Sequence, residues 1–257
     1  MVKINIENSR IAVIGSTLLT KELILFLEEV NRPLILFGLP ENQIRLKVNS
    51  TYLKDYCYNK KIKYIENNSW EYFYQTCLKD NIDLIIEFGD SRIIPSTITN
   101  NIFTIGNHGA ILPFVKGGAS LVWGRMANML HWGVSLMKIE ESIDEGEIII
   151  TKNFNYESDI SMQNFLNISD KKTIDCFKEI IGKDLHFKKN IKNKIVIANH
   201  TDSYDVVLEI KKAIKNSYSI YLPPRTPEDG KINKKWPKEF IEIFKIANNI
   251  PYPKYFY

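Results

Sequence analysis

RIAVIGSTLLTKELILFLEEVNRPLILFG, residues 10–38, reads as a strand, a glycine turn, a helix and a second strand. Residues 10–15 are a β-branched run closed by Gly15, the pattern of a buried strand. Leu19, Leu23, Phe26, Leu27 and Val30 then recur at helical spacing. Residues 33–37 supply the second strand, ended by Gly38 and Pro40. The same grammar continues outward. Residues 41–59 read as a polar helix, 62–65 as a strand and 70–78 as a helix. Residues 82–88 are an apolar strand ending at Gly89, and 102–105 another ending at Gly106. Strands apolar on both faces, alternating with helices, predict an α/β fold with a parallel sheet covered by helices. Such sheets bind ligands beyond the carboxyl ends of their strands. Gly15, Gly89 and Gly106 mark three of those ends.

The pattern changes after residue 115. Gly117-Gly118 precedes a helical stretch over 121–130, followed by strands over 134–139 and 146–151. A helix is expected over 159–182 and a short strand over 195–198. From about residue 218 the chain is rich in Pro, Tyr and Lys, with one helix over 238–247. The expected division is a main α/β domain over 1–190 and a small C-terminal extension over 191–257 suited to binding or dimerisation.

Composition narrows the classes. The chain has 257 residues, 44% hydrophobic and 25% charged, which excludes disordered and collagen-like chains. No run approaches the roughly 18 to 20 apolar residues of a membrane span. Residues 1–30 lack the pattern of a secretory signal. Cys57, Cys77 and Cys176 are too few and too scattered for a disulfide framework or a zinc ligand set. A cytoplasmic protein with reduced thiols, no metal and no membrane partner is expected. The net charge of +4 is mild, and the Lys-rich stretches 188–194 and 231–238 read as solvated turns. A nucleic-acid partner is not expected from a balance of that kind.

The chemistry concentrates in NHGAILPFVKGGASLVWGRMANMLHWGVSLMKIEESIDEGEIII, residues 107–150. His108 follows a strand and precedes Leu112-Pro113; Asp144 lies downstream, just before another strand. An imidazole exchanges protons near neutral pH, and a carboxylate can orient it and stabilise its cation. From spacing alone, a structural His and a structural Asp remain the commoner reading.

The segment resembles the catalytic core of the folate-dependent formyltransferases, and most of all the sugar N-formyltransferases. Their pattern is Asn-x-His-x-small-Leu-Leu-Pro, an Arg-Gly turn, a Trp-bearing helix start, a Gly-Val-Thr strand and Asp-x-Gly-x-Ile. Here the matching islands are His108 through Pro113, Lys116-Gly117, Leu121-Val122-Trp123, Gly133-Val134-Ser135 and Asp144 through Ile148. Residues 11–17 and 83–95 are similar to the family's first strand and to its strand and loop before the active site. Residues 225–233 and 251–253 resemble a segment that follows the domain in several members. The resemblance implies a Rossmann-like core. It also implies formyl transfer from N10-formyltetrahydrofolate to a primary amine, with no metal. His108 would transfer protons and contact the oxyanion, and Asp144 would hold His108 or accept the proton. The folate would lie against Phe88, Gly89, Asp90, Ser91, Arg92 and Ile93, and against Ile139, Glu140 and Ile143. Gly15, Ser16, Thr17, Lys116, Gly117 and Arg225 would face the substrate; Thr17 reads equally as a helix cap and Arg225 as a structural group.

Two departures stand out. The family's Asn, two residues before the His, is Gly106 here, and its Arg-Gly turn is Lys116-Gly117. Adjacent side chains of a strand face opposite ways, so Asn107 does not automatically replace the missing amide. Three explanations stay open: a reshaped loop that brings Asn107 in, a backbone N–H or water at the oxyanion, or a weak or inactive member. Only about 60 to 70 residues follow the expected core, short for the barrel of the tRNA formyltransferases. The expected acceptor is therefore a nucleotide-linked amino sugar, such as a dTDP-4-amino-4,6-dideoxy sugar made for O-antigen or another surface polysaccharide. The alternatives are a nucleotide-sugar-binding protein without turnover and a methionyl-tRNA formyltransferase-like enzyme.

Overall fold

The computed structural model describes residues 6–31, 33–44, 49–66, 69–90, 92–190, 194–198 and 202–257. The chain divides into two compact units. The first comprises Met1–Asn107, Leu136–Ile149 and Ile174–Lys188, and the second His108–Ser135, Ile150–Thr173 and Lys189–Tyr257.

The first unit opens with the strand–helix–strand of the sequence. Strand β1 is Ile11–Ile14, helix α1 Leu18–Val30 and strand β2 Ile35–Gly38. Two short helices follow, α2 (Glu41–Ile44) and α3 (Lys54–Asn59), where one polar helix was expected. Between them Ser50 bridges to Thr17, so the chain returns to the end of β1 instead of continuing as a helix. Next come β3 (Lys63–Glu66), α4 (Trp70–Lys79), β4 (Leu84–Glu87), α5 (Ser96–Thr99) and β5 (Phe103–His108). Strand β5 runs past Gly106, which the sequence placed at its end.

These strands pair in parallel, β2 with β1 and β3, and β4 with β1 and β5. Strands β1, β2 and β4 are buried along their whole length, as doubly covered parallel strands must be. One core combines Ala12, Ile14, Ile35, Phe37, Phe73, Cys77 and Ile85. Phe37 stacks on Phe73 at 4.1 Å between centroids. Burial raises the Cys57 and Cys77 thiols to about 12, so both remain thiols at neutral pH.

Strand β6 is Val115–Gly117, α6 Ser120–Ala127, β7 His131–Lys138, β8 Ile148–Asn155 and α7 Met162–Ile180. The seven-stranded sheet has the order β3-β2-β1-β4-β5-β7-β8, the mostly parallel α/β sheet expected from the alternation.

The second unit has its own parallel sheet. Strand β6 pairs with β10 (Ser219–Leu222), and β10 with β9 (Ile195–Ile197). Helix α8 (Ser203–Lys215) lies between β9 and β10 in sequence and buries Val206, Val207, Ile210 and Ala213. Helix α9 is Lys238–Ala247, the helix expected over 238–247. Trp236, Phe240 and Phe244 form an aromatic cluster, and Trp236 Nε1 donates to Asp202 Oδ1 at 2.8 Å. No described helix is long and apolar enough to cross a membrane.

Candidate active site

Tight packing builds the first strand end. Thr17 caps α1: its Oγ1 accepts from Thr20 N at 3.3 Å, while Thr17 N donates to Thr20 Oγ1 at 3.0 Å. Thr20 Oγ1 also donates to Phe88 O at 2.6 Å. Ser16 is buried, and its Oγ donates to Gly15 O and accepts from Leu39 N. Gly15 N donates to Phe37 O. Two of the three N–H groups at 15–17 therefore already serve the protein, which weakens the case for a phosphate cradle there. Gly89 has φ +82°, and a Cβ on it would run into Thr17 Oγ1, so only glycine lets the β4 turn approach β1.

That turn is held by side chains at two consecutive amides. Gly89 N donates to Asn107 Oδ1 at 3.3 Å, and Asp90 N donates to Glu87 Oε1 at 2.8 Å. Asp90 in turn receives Arg92 N and Nε, at 2.9 and 2.8 Å, and pairs with Arg92 Nη2. The Arg92 guanidinium lies over Trp70 at 5.5 Å and over Phe37 at 5.8 Å. The Phe88 side chain is fully buried against Phe177, so only its backbone can serve a ligand. Ser91 lies outside the described residues. Ile93 is 62% exposed and Ile143 56%, and Glu140 is exposed as well. Ile139 packs against the core of the first unit.

Gly106 pairs with Glu87 across β4 and β5. A Cβ at 106 would overlap Ile139 Cδ1, lie 2.7 Å from Ile139 Cγ1 and lie 3.1 Å from Glu87 Oε2. The place of the family's Asn side chain is thus taken by Ile139 and a carboxyl oxygen. Asn107 points its carbonyl at the turn, so its structural task is to hold Gly89. Asp144 is buried in the first unit in the left-handed region, φ +53°, a conformation that Asp tolerates better than most residues. Burial holds the Glu87 carboxyl well above the usual range; the negative charges of Asp90 and Asp144 add to this, while the Asp90 N–H and Arg92 oppose it.

In the second unit, His108 is 6% exposed, and its Nε2 lies 2.9 Å from Val115 O. A carbonyl only accepts, so Nε2 donates to it and the ring is held in one orientation. Ser135 staples the loop that follows. Its Oγ donates to Ala110 O at 2.8 Å and accepts from Leu112 N at 3.0 Å. Trp132 Nε1 donates to Gly109 O at 2.8 Å. Sequence reasoning gave Ser135 no role, because a strand serine carries no signal of which loop it meets. Ser135→Ala is expected to cost about 1–3 kcal/mol, the penalty for orphaning a buried donor and acceptor. Urea denaturation measures this, and an unchanged midpoint would show that the staple is idle.

Lys116 is fully buried on β6 with its Nζ 5.7 Å from the centre of the Tyr221 ring, and Gly117 packs against the Leu222 backbone. Arg225 is built into the fold. Its Nη2 donates to Asp229 O and Asn248 Oδ1, each at 2.8 Å, and its guanidinium lies 4.7 Å from the Trp123 ring centre. Burial lowers Arg225 to about 10, and it remains a cation at neutral pH. Among the described residues no group of three or more His, Cys, Asp or Glu could hold a metal ion.

No family model matches the chain. A methionyl-tRNA formyltransferase of Fusobacterium nucleatum is 27% identical over 218 residues, 82% of this chain and 62% of that protein. One from Prochlorococcus marinus is 24% identical over 132 residues, 51% of this chain and 38% of its own. The chain thus spans less than two thirds of those curated relatives. Among solved structures, WlaRD, a sugar 3N-formyltransferase crystallised with dTDP and 5-N-formyltetrahydrofolate, superposes at a TM-score of 0.63 with 17% identity. That match covers 93% of this chain and 78% of WlaRD. Methionyl-tRNA formyltransferase from Clostridium thermocellum gives 0.60 with 17% identity over 93% and 82%. HypX from Aquifex aeolicus with tetrahydrofolic acid gives 0.61 with 13% identity over 94% and 34%. The chain has the fold of the formyltransferases, and its sequence is similar to members of that family.

Proposed function

We propose that this chain is a folate-dependent N-formyltransferase that moves a formyl group from N10-formyltetrahydrofolate to the amine of a nucleotide-linked amino sugar. The observation that carries the reading is His108, buried at the carboxyl end of β5 with its ring oriented by the Nε2 contact to Val115 O. An imidazole held in one orientation suits proton transfer with an attacking amine. The amine nitrogen attacks the formyl carbon, and an oxyanion forms. The carbon–N10 bond then breaks as N10 gains a proton. In this reading His108 takes the amine proton and Asp144 stabilises the resulting imidazolium or accepts the proton. The exposed Ile93 and Ile143 offer apolar surface for the flat folate rings, and the turn held by Asn107 and Glu87 presents backbone groups for the pterin edge. Residues 191–257 we assign to the acceptor side. The presence of dTDP in the WlaRD structure supports a nucleotide sugar.

The methionyl-tRNA formyltransferase relatives favour initiator tRNA as the second reading. A tetrahydrofolate-release assay with dTDP- and UDP-linked amino sugars and with charged initiator tRNA separates the two. Turnover is expected with an amino sugar. Turnover with the tRNA alone overturns the sugar assignment, and nucleotide-sugar binding without any turnover overturns the enzyme.

A further inference from the structure

Buried acids at the end of a parallel sheet need a reason, and Glu87 has neighbours that supply one. It closes β4, is 7% exposed, and stands beside Gly106 on β5. Its Oε1 is committed to Asp90 N, and its Oε2 is the atom 3.1 Å from where a side chain at 106 would begin. We propose that Glu87 is a positioning residue of the site assigned above, holding the turn at Gly89 and Asp90 with one carboxyl oxygen and presenting the other as a hydrogen-bond donor beside Gly106. The inference rests on the formyltransferase reading for its chemistry.

Donation from Oε2 requires the acid form. Among the described residues, the charged groups that act on Glu87 are Asp90, Asp144 and Arg92. Arg92 is already paired with Asp90, so the remaining balance opposes a further negative charge at Glu87. In the acid form the proton sits on Oε2, because Oε1 receives an N–H. The acid form places a donor at a position where the backbone offers no side chain. Alternation along β5 gives positions 106 and 108 the same side of the strand and position 107 the other. Glu87, reached from position 106, thus serves the side of β5 opposite to Asn107. Ionisation of Glu87 would remove that donor and add a charge beside Asp144.

The test compares wild type with Glu87→Gln, which keeps an acceptor oxygen and donor hydrogens but cannot ionise. In wild type, kcat and affinity for 5-formyltetrahydrofolate are expected to fall as pH rises through the ionisation of Glu87. In Glu87→Gln both are expected to stay flat over that range, and Glu87→Ala is expected to be impaired throughout. Identical pH profiles in wild type and Glu87→Gln would overturn the proposal, because a merely structural side chain would leave them alike. A measurement without substrate separates this from failure of the formyltransferase reading. The native state keeps the Glu87 proton above the ordinary value of 4.5, where the unfolded chain releases it. Wild-type stability should therefore fall with rising pH above that value. The ratio of the unfolding constants of wild type and Glu87→Gln should rise by up to about tenfold per pH unit until the native group ionises. A constant ratio overturns the protonated acid whatever the reaction is. Absence of folate binding in wild type, with the ratio changing as stated, overturns the positioning role while the acid itself stands.

Discussion

Replacing His108 by Asn is expected to lower kcat by about 100- to 10,000-fold, the range for removing a positioned general base. The carboxamide is polar and fits a small buried site, but it cannot accept a proton at neutral pH. The folding cost is smaller. The bond from Nε2 to Val115 O contributes about 1 kcal/mol, and Asn can offer its own N–H in that direction. The loop retains Ser135 and Trp132 as independent fastenings. Activity and stability should therefore separate. The melting temperature should shift by a few degrees, since about 1 kcal/mol moves a domain of this size by roughly 2–4 °C. Single-turnover formyl transfer should nearly vanish. A variant with near-normal kcat would show that His108 is not the base.

The parts legible in the sequence were those with a strong period. Strands β1, β2, β4 and helices α1, α4 and α9 follow from apolar runs or faces long enough to have one reading. The parallel sheet follows from their alternation. Strands β6 and β10 were not legible. They have three and four residues, and Val115-Lys116-Gly117 looks like a loop until Ile220, Tyr221 and Leu222 pair with it from far along the chain. Helix α8 was missed because its apolar positions, Val206, Val207, Ile210 and Ala213, are interleaved with Lys and Glu. The site divides in the same manner. His108 and Asp144 could be proposed from the sequence because their flanking motifs are local. Glu87 could not, since a single acid after Leu84-Ile85-Ile86 looks like the polar end of a strand. Its importance depends on Gly106, Asp90 and Asp144, three partners that only the fold assembles.

Gly106 also supports the second large effect. Restoring the family's residue, Gly106→Asn, is expected to destabilise the protein and to leave kcat no higher. The new Cβ would overlap Ile139 and press towards Glu87 Oε2. Overpacking of this kind costs about 1–3 kcal/mol, and the carboxamide would add to it by crowding a buried acid. Ile139 is anchored against the core of the first unit, and its N–H donates to Thr104 O at 2.9 Å, so the backbone there cannot easily retreat. The double variant Gly106→Asn with Ile139→Ala opens the space. It should recover part of the loss, a coupling that a double-mutant cycle measures directly. If the single variant melts with wild type and gains activity, the strand end is open at 106 and Glu87 does not fill it. If both variants are destabilised by simple addition, the side chains at 106 and 139 do not compete. The coupled outcome is expected because glycine at 106 and the pair Ile139 and Glu87 are two halves of one packing solution. In this chain the donor beside β5 belongs to the neighbouring strand.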